Sequence, residues 1–391
     1  MSDAPRFDID PLAFAADPYP TLARMRREAP ICHVPQLGAT LLTRRDDIFT
    51  CERNVEMFSS HQPGGLMNRL MGVNMMRKDG EAHRVERAAI FPTVSPKTVR
   101  DVWKAGFEAD CAALFDRLEP AGQCDLIKAF AMPLAGAALV RVTGLSEASP
   151  NNMDAWSQAM IDGIANYSGV AEVEERCHAA TAAIDAAVDV AASRLRHAPD
   201  FSLLSVMMQA GLPMDSIKAN IRLAISGGQN EPRDAIAGCI HALLAHPGEK
   251  AKIDSGTASW TQAFEEYTRW NAPIGMSPRR IARDHLFAGV TFETEDRAFL
   301  MFSSANRDEA HFDDPDRFRI GRDTSKAITF GAGPHFCAGA WVARALIAEV
   351  ALPAVFAKLR GLRLARGADP RPVGWAFRGL AALPVEWDPL N

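Results

Sequence analysis

Hydrophobic positions along this chain fall mostly at helical spacing. From about Ser95 to Leu204 they recur every three and four residues with few strong breaks, which predicts a succession of helices packed by one face each. A second long apolar run, Ile217 to His246, predicts one helix able to cross the centre of a compact fold and to stop at Pro247. Alternation takes over near the ends. Short alternating runs at Ile31 to Val34 and Thr40 to Thr43 follow the turn signals Asp10-Pro11 and Asp17-Pro18, and predict a small sheet. Phe287 to Phe292 and Ala381 to Trp387 are strand-like pieces around one more helix, Ala338 to about Leu359. The fold class is mainly α with a minor β region.

The long run has an unusual middle, Ser226-Gly227-Gly228-Gln229-Asn230-Glu231-Pro232-Arg233-Asp234. Two glycines weaken the helix, and Pro232 removes an N–H and frees the carbonyl of Gly228, so a kink with a groove is expected.

At 391 residues with 48% hydrophobic content, the chain can bury a large core and an internal ligand. No linker, repeat or low-complexity block divides it, so a single domain over residues 1–391 is expected. A net charge of −5 provides no general basic field and argues against nucleic acid. The N-terminus lacks a signal pattern, and no stretch approaches the uncharged length of a membrane span, which predicts a soluble, cytoplasmic protein. The seven cysteines, Cys32, Cys51, Cys111, Cys124, Cys177, Cys239 and Cys337, are odd in number and scattered, against a disulfide framework or zinc cluster.

One of them stands in a special setting. Phe330-Gly331-Ala332-Gly333-Pro334-His335-Phe336-Cys337-Ala338-Gly339 places Cys337 in a glycine-rich turn just before a helix start. Gly331, Gly333 and Gly339 permit conformations closed to bulkier residues, and backbone N–H groups and a helix N-terminus favour an ionised sulfur. For a lone cysteine, a buried structural thiol is the ordinary alternative.

The pattern Phe-Gly-x-Gly-x-His-x-Cys-x-Gly resembles the haem-binding signature of the cytochrome P-450 superfamily. That resemblance implies the superfamily's triangular fold, with haem b (iron protoporphyrin IX) between a long distal helix and a proximal loop. Cys337 would be the axial ligand, with Phe330, Gly331 and His335 in the loop around it. His83, Arg87, Arg280 and His335 occupy positions the superfamily uses for the haem propionates, with Arg279 an ambiguous neighbour of Arg280. Glu266 and Arg269, on one helical face, resemble its Glu-x-x-Arg pair. Arg307, in a segment resembling the following meander, would complete a structural triad.

On the distal helix most superfamily members carry an acid followed by threonine, which organise water and deliver protons. Here Asn230 and Glu231 stand instead, so Glu231 is expected to handle the proton and Asn230 to orient it or a water. The same carboxylate suits hydrogen peroxide as a shunt oxidant. Gly227, Gly228, Ile274, Met276, Phe377 and Tyr167 are expected to line the substrate pocket, under a roof of Met67, Met71, Met75 and Met76.

Gly227 to Asp234 and Asn271 to Arg279 further resemble bacterial aromatic O-demethylases of the guaiacol and syringol type. This implies dioxygen-dependent hydroxylation of an aryl methoxy carbon, giving a phenol and formaldehyde. No Gly-x-Gly-x-x-Gly unit or iron–sulfur cysteine run is present, so electrons would come from a separate ferredoxin or flavin/iron–sulfur reductase, docking on the Cys337 side of a monomer. The alternatives are a peroxide-driven hydroxylase of an alkylphenol or methylated sugar, a non-catalytic haem binder or sensor, and a haem-free helical scaffold.

Overall fold

The computed structural model describes residues 2–166 and 168–388. They pack as two compact units, each assembled from separated segments. The first comprises Met1–Gln62, Gly238–Cys337 and Asp369–Ala381, and the second Pro63–Ala237, Ala338–Ala368 and Ala382–Asn391. No linker marks the division in the sequence because it passes through the helix Met214–Ala245 and directly after Cys337.

The first unit is built on a five-stranded sheet in the order Ile31–Val34, Ala39–Leu42, Arg297–Leu300, Ser277–Ile281, Phe58–Ser59. Pairing is antiparallel except between Ala39–Leu42 and Arg297–Leu300, where Thr40 faces Ala298 in parallel register. All four residues of Ala39–Leu42 are buried, the mark of an inner strand covered on both faces. A hairpin, His285–Phe287 and Val290–Phe292, turns through Ala288 and Gly289 at φ 48° and 83°. Its Phe287 and Phe292 meet Phe58 edge-on at 5.6 and 5.7 Å, extending the core that holds Phe14, Leu22 and Leu300.

The second unit is helical. Met132–Thr143 buries Leu134, Ala135, Leu139 and Val142, and Pro150–Ile164 starts at a reciprocal cap between Ser149 and Asn152. Ala171–His197 follows, and most of Met214–Ala245 belongs here. A small antiparallel sheet places Pro384–Glu386 between Gln123–Asp125 and Arg363–Leu364.

Mainly α with a minor β region is the observed class. The helix expected at 217–246 runs Met214–Ala245 and remains helical through Pro232. The helix expected from Ala338 runs Ala340–Lys358 and passes through a wider π-type turn at Ala345–Ala351, ahead of Pro353. By length and composition this helix is apolar enough to cross a membrane, although Arg344 and Glu349 interrupt its uncharged run. Half of its apolar window is nevertheless buried inside the fold, and its Glu349 pairs with Lys104 at 2.7 Å, as befits a core helix.

Candidate functional site

The Cys337 loop is closed by three backbone hydrogen bonds. The N–H of Gly331 donates to Ile328 O at 2.9 Å, that of Phe336 to Gly333 O at 3.2 Å, and that of Cys337 to Phe330 O at 2.8 Å. Gly331 and Gly333 are left-handed, at φ 71° and 62°, and a Cβ on Gly333 would lie 2.5 Å from the carbonyl oxygen of Glu52. Gly339 is different. Its φ of −80° is open to any residue, so its place in the loop is as the helix cap rather than as a backbone special case. Phe330 stands 6.3 Å from both Phe264 and Phe336.

Among the seven cysteines only Cys337 is exposed. Burial pushes the thiols of Cys32 and Cys111 up to about 12 and that of Cys124 up to about 11, and raises those of Cys51, Cys177 and Cys239 as well. Those six are thereby held as neutral thiols.

The proposed propionate partners come from separate elements. His83, buried, and Arg87, half-buried, share one face of Gly80–Val94 in the second unit. In the first unit, His335 closes the short turn Gly333–His335, and Arg280 lies on the strand Ser277–Ile281. Arg280 donates through Nε to His61 O at 2.8 Å and pairs with the exposed Glu295. Arg279 is no longer ambiguous. Its side chain is buried, pairs with Glu52 and donates to Ser277 Oγ at 2.5 Å, because neighbours on a strand point to opposite faces.

Glu266 and Arg269 form a fully buried bidentate pair at 2.7 and 2.9 Å. The third cation is not Arg307. It donates instead to Trp270 O at 2.8 Å and to Asp316 at 2.9 Å, and stacks over the Tyr19 ring at 3.4 Å. Arg322 takes that role, with Nε 3.3 Å from Glu266 Oε1, where the N–H of Arg319 also donates at 2.8 Å. The meander therefore folds so that its later arginine reaches the pair.

On the helix Met214–Ala245, Asn230 Oδ1 and Glu231 Oε2 are buried without a protein hydrogen-bond partner. Burial pushes the Glu231 carboxyl up to about 7, opposed by its backbone hydrogen bond and by Arg233, while Asp234 reinforces the rise. Arg233 pairs with Asp234 at 2.9 Å and lies 3.8 Å from Asp154, which also accepts from Gln229 Nε2 at 3.1 Å. The two glycines separate. A Cβ on Gly227 would meet open space, whereas one on Gly228 would sit 2.8 Å from Leu139 Cδ2, so Gly228 serves helix packing rather than a pocket wall.

Ile274 and Phe377 meet across an isolated antiparallel bridge, with Met276 packed on the core nearby. Gly275 between them donates to Ala376 O at 2.8 Å, and any Cβ there would fall on the Trp375 carbonyl oxygen. Gly275→Ala is expected to cost about 1–3 kcal/mol by overpacking, read as a lowered Tm. Met67, Met71 and Met75 are buried, and Met76 is exposed. Tyr167 lies outside the described residues.

These residues fit a thiolate-bound haem. One exposed cysteine stands in a loop rigidified by left-handed glycines. Cationic and imidazole side chains have the chemistry that two propionates need, and on its own helix the pair Asn230 Oδ1 and Glu231 Oε2 is buried without a protein partner.

Residues 260–359 match the cytochrome P450 family. The steroid C26-monooxygenase of Mycolicibacterium smegmatis is 29% identical over 90% of this chain and 88% of its own length. The crystal structure of CalO2 superposes with a TM-score of 0.89 at 26% identity, covering 98% of this chain and 99% of that one. Myxobacterial cytochrome P450 CYP267B1, solved in complex with myristic acid, gives 0.86 at 26% identity over 96% and 98%. Fold and site together define a haem-thiolate oxygenase. The match over residues 260–359 and the likeness over nearly the whole chain support a monooxygenase using haem b with an axial cysteine thiolate. None of these three relatives is named as a guaiacol or syringol O-demethylase.

Proposed function

We propose that this monooxygenase, with Cys337 as its axial ligand, hydroxylates the methoxy carbon of a small methoxyphenol, whose hemiacetal product collapses to a phenol and formaldehyde. The observation that carries the chemistry is the Glu231 carboxyl, buried at Oε2 with no protein partner. Haem held by Cys337 supplies oxidation of a substrate C–H bond by one atom of dioxygen. The protein residues position and protonate. His83, Arg87, Arg280 and His335 offset the propionate charge, and Ile274, Met276 and Phe377 give an apolar wall suited to a planar ring. Asn230 Oδ1, buried without a protein partner, would accept from a water and so help to orient the proton path of Glu231.

With a carboxyl poised at about 7, Glu231 can give up and retake a proton near neutrality. That also favours hydrogen peroxide as an oxidant, since Glu231 would accept the peroxide proton and return it to the departing oxygen, so that one oxygen leaves as water and the other ends in the hydroxylated substrate. With dioxygen, electrons come from a separate ferredoxin or flavin/iron–sulfur reductase. We read 1–391 as one working domain, monomeric and cytoplasmic. Methoxyphenols should shift the haem spin state and yield formaldehyde in proportion to phenol. A panel giving neither would reject the substrate class.

Peroxide-driven kcat/KM should follow an apparent pKa near 7 that vanishes in Glu231→Gln, and Glu231→Ala should lower turnover. Unchanged rate and coupling in Glu231→Ala would remove Glu231 from the reaction. Stability supplies an independent check. A carboxyl raised from 4.5 to about 7 holds its proton more tightly folded than unfolded, so its contribution is full below 4.5 and is lost as pH rises through about 7. The Tm of Glu231→Gln relative to the unsubstituted protein should therefore increase from pH 5 to pH 8.

A further inference from the structure

Beneath the Cys337 loop lies a carboxylate that the reaction scheme leaves unused. Glu52 lies in the last turn of the helix Arg45–Arg53, and its side chain is 1% exposed. Its Oε2 accepts the N–H of Ala332 at 3.2 Å, and Oε1 accepts from Arg279 Nη2. The fit is close, since a Cβ on Gly331 would lie 3.0 Å from Glu52 Oε2, and the Glu52 backbone carbonyl occupies the space a Cβ on Gly333 would need. The left-handed glycines thus let the loop close onto this residue. Beyond Ala332, the loop returns to bond the Cys337 N–H to Phe330 O at 2.8 Å. On the other side, Arg279 is the strand neighbour of Arg280. One buried carboxylate therefore joins the thiolate loop to the strand carrying a propionate partner.

We propose that Glu52 and Arg279 are positioning residues that hold the Cys337 loop and set the reduction potential of the bound haem. The proposal rests on the haem site and is independent of the substrate. A buried ion pair is weakly screened, so each charge acts on a nearby redox centre. The carboxylate favours the oxidised, more positive iron, and the guanidinium opposes it. Oxidation state at the iron should then respond with opposite sign to loss of either partner. The hydrogen bond to Ala332 acts separately, since an amide oxygen can replace it whereas a methyl group leaves the buried N–H unpaired.

The test is dye-mediated spectroelectrochemistry of the substrate-free, haem-loaded protein at pH 8, with the ferrous carbonyl spectrum followed over time. Glu52→Gln should raise the potential and keep the red-shifted Soret band of thiolate ligation. Arg279→Met should lower it, and the double variant should return towards the starting value. Glu52→Ala should convert several-fold faster to a form without that band. A role in folding alone would lower Tm in all variants without opposite potential shifts. Shifts of the same sign, or no shift in either single variant, would overturn the proposal. Should Glu52→Gln fail to take up haem, a potential unmoved by Arg279→Met overturns it equally. A parent protein lacking the red-shifted band would instead reject haem-thiolate ligation itself.

Discussion

Cys337→Ser yields a protein that folds but has lost the red-shifted Soret band of its ferrous carbonyl complex, and whose monooxygenation falls to background. Serine keeps the size of the side chain but not its acidity, so no soft anionic ligand forms at neutral pH. Stability should change little. Cys337 is exposed, and what shapes its loop is the backbone: the bond from its N–H to Phe330 O and the left-handed Gly331 and Gly333, which serine leaves untouched. An unchanged apoprotein Tm beside lost thiolate spectroscopy is the expected combination. A retained red-shifted band would place the ligand elsewhere, although the other six thiols are driven towards the neutral form by burial.

Arg269→Met should have the opposite profile and prevent accumulation of stable protein. Arg269 is fully buried and, besides its two bonds to Glu266, donates to the carbonyls of Asn306 and Pro315, each at 2.9 Å, and of Arg317 at 3.3 Å. Its loss removes the bidentate partner of a buried carboxylate, leaving Glu266 with Arg322 and the Arg319 N–H on one oxygen, and takes a donor from three carbonyls at once. Removing one partner of such a pair costs about 3–5 kcal/mol, much of the stability of a typical domain. Soluble yield and Tm measure it. The same network supplies a finer check. Glu266 and Arg322 substitutions should be strongly non-additive in a double-mutant cycle, whereas Glu266 and Arg307 should combine additively, because Arg307 binds Asp316 and Trp270 instead.

The choice between Arg307 and Arg322 shows where sequence reading stops. The Glu266–Arg269 spacing is local, since one helical turn places both on one face. Which meander arginine reaches them depends on how an irregular segment doubles back, and no periodicity encodes that path. Glu52 and Arg279 are separated by 227 residues, and each resembles an ordinary surface charge until the strand and helix are in place. The strand pair near the start of the chain and the two long helices were legible because alternation, apolar periodicity and proline punctuation are local signals, whereas the inner strands Ser277–Ile281 and Arg297–Leu300 carried no such mark. Gly227 and Gly228 looked equivalent in the chain. Only the packing of Leu139 against one of them distinguishes a helix contact from open space.

The parallel pairing of Ala39–Leu42 with Arg297–Leu300 has a consequence for synthesis on the ribosome. The hairpin partner Ile31–Val34 emerges at once, but the other edge of the inner strand waits for a segment made more than two hundred residues later. At about 5–20 residues per second that wait lasts tens of seconds, with the unpaired N–H and C=O groups of that edge exposed. Slower translation should therefore lower the yield of soluble chain, and a binder of extended segments acting on the nascent N-terminal region should restore it.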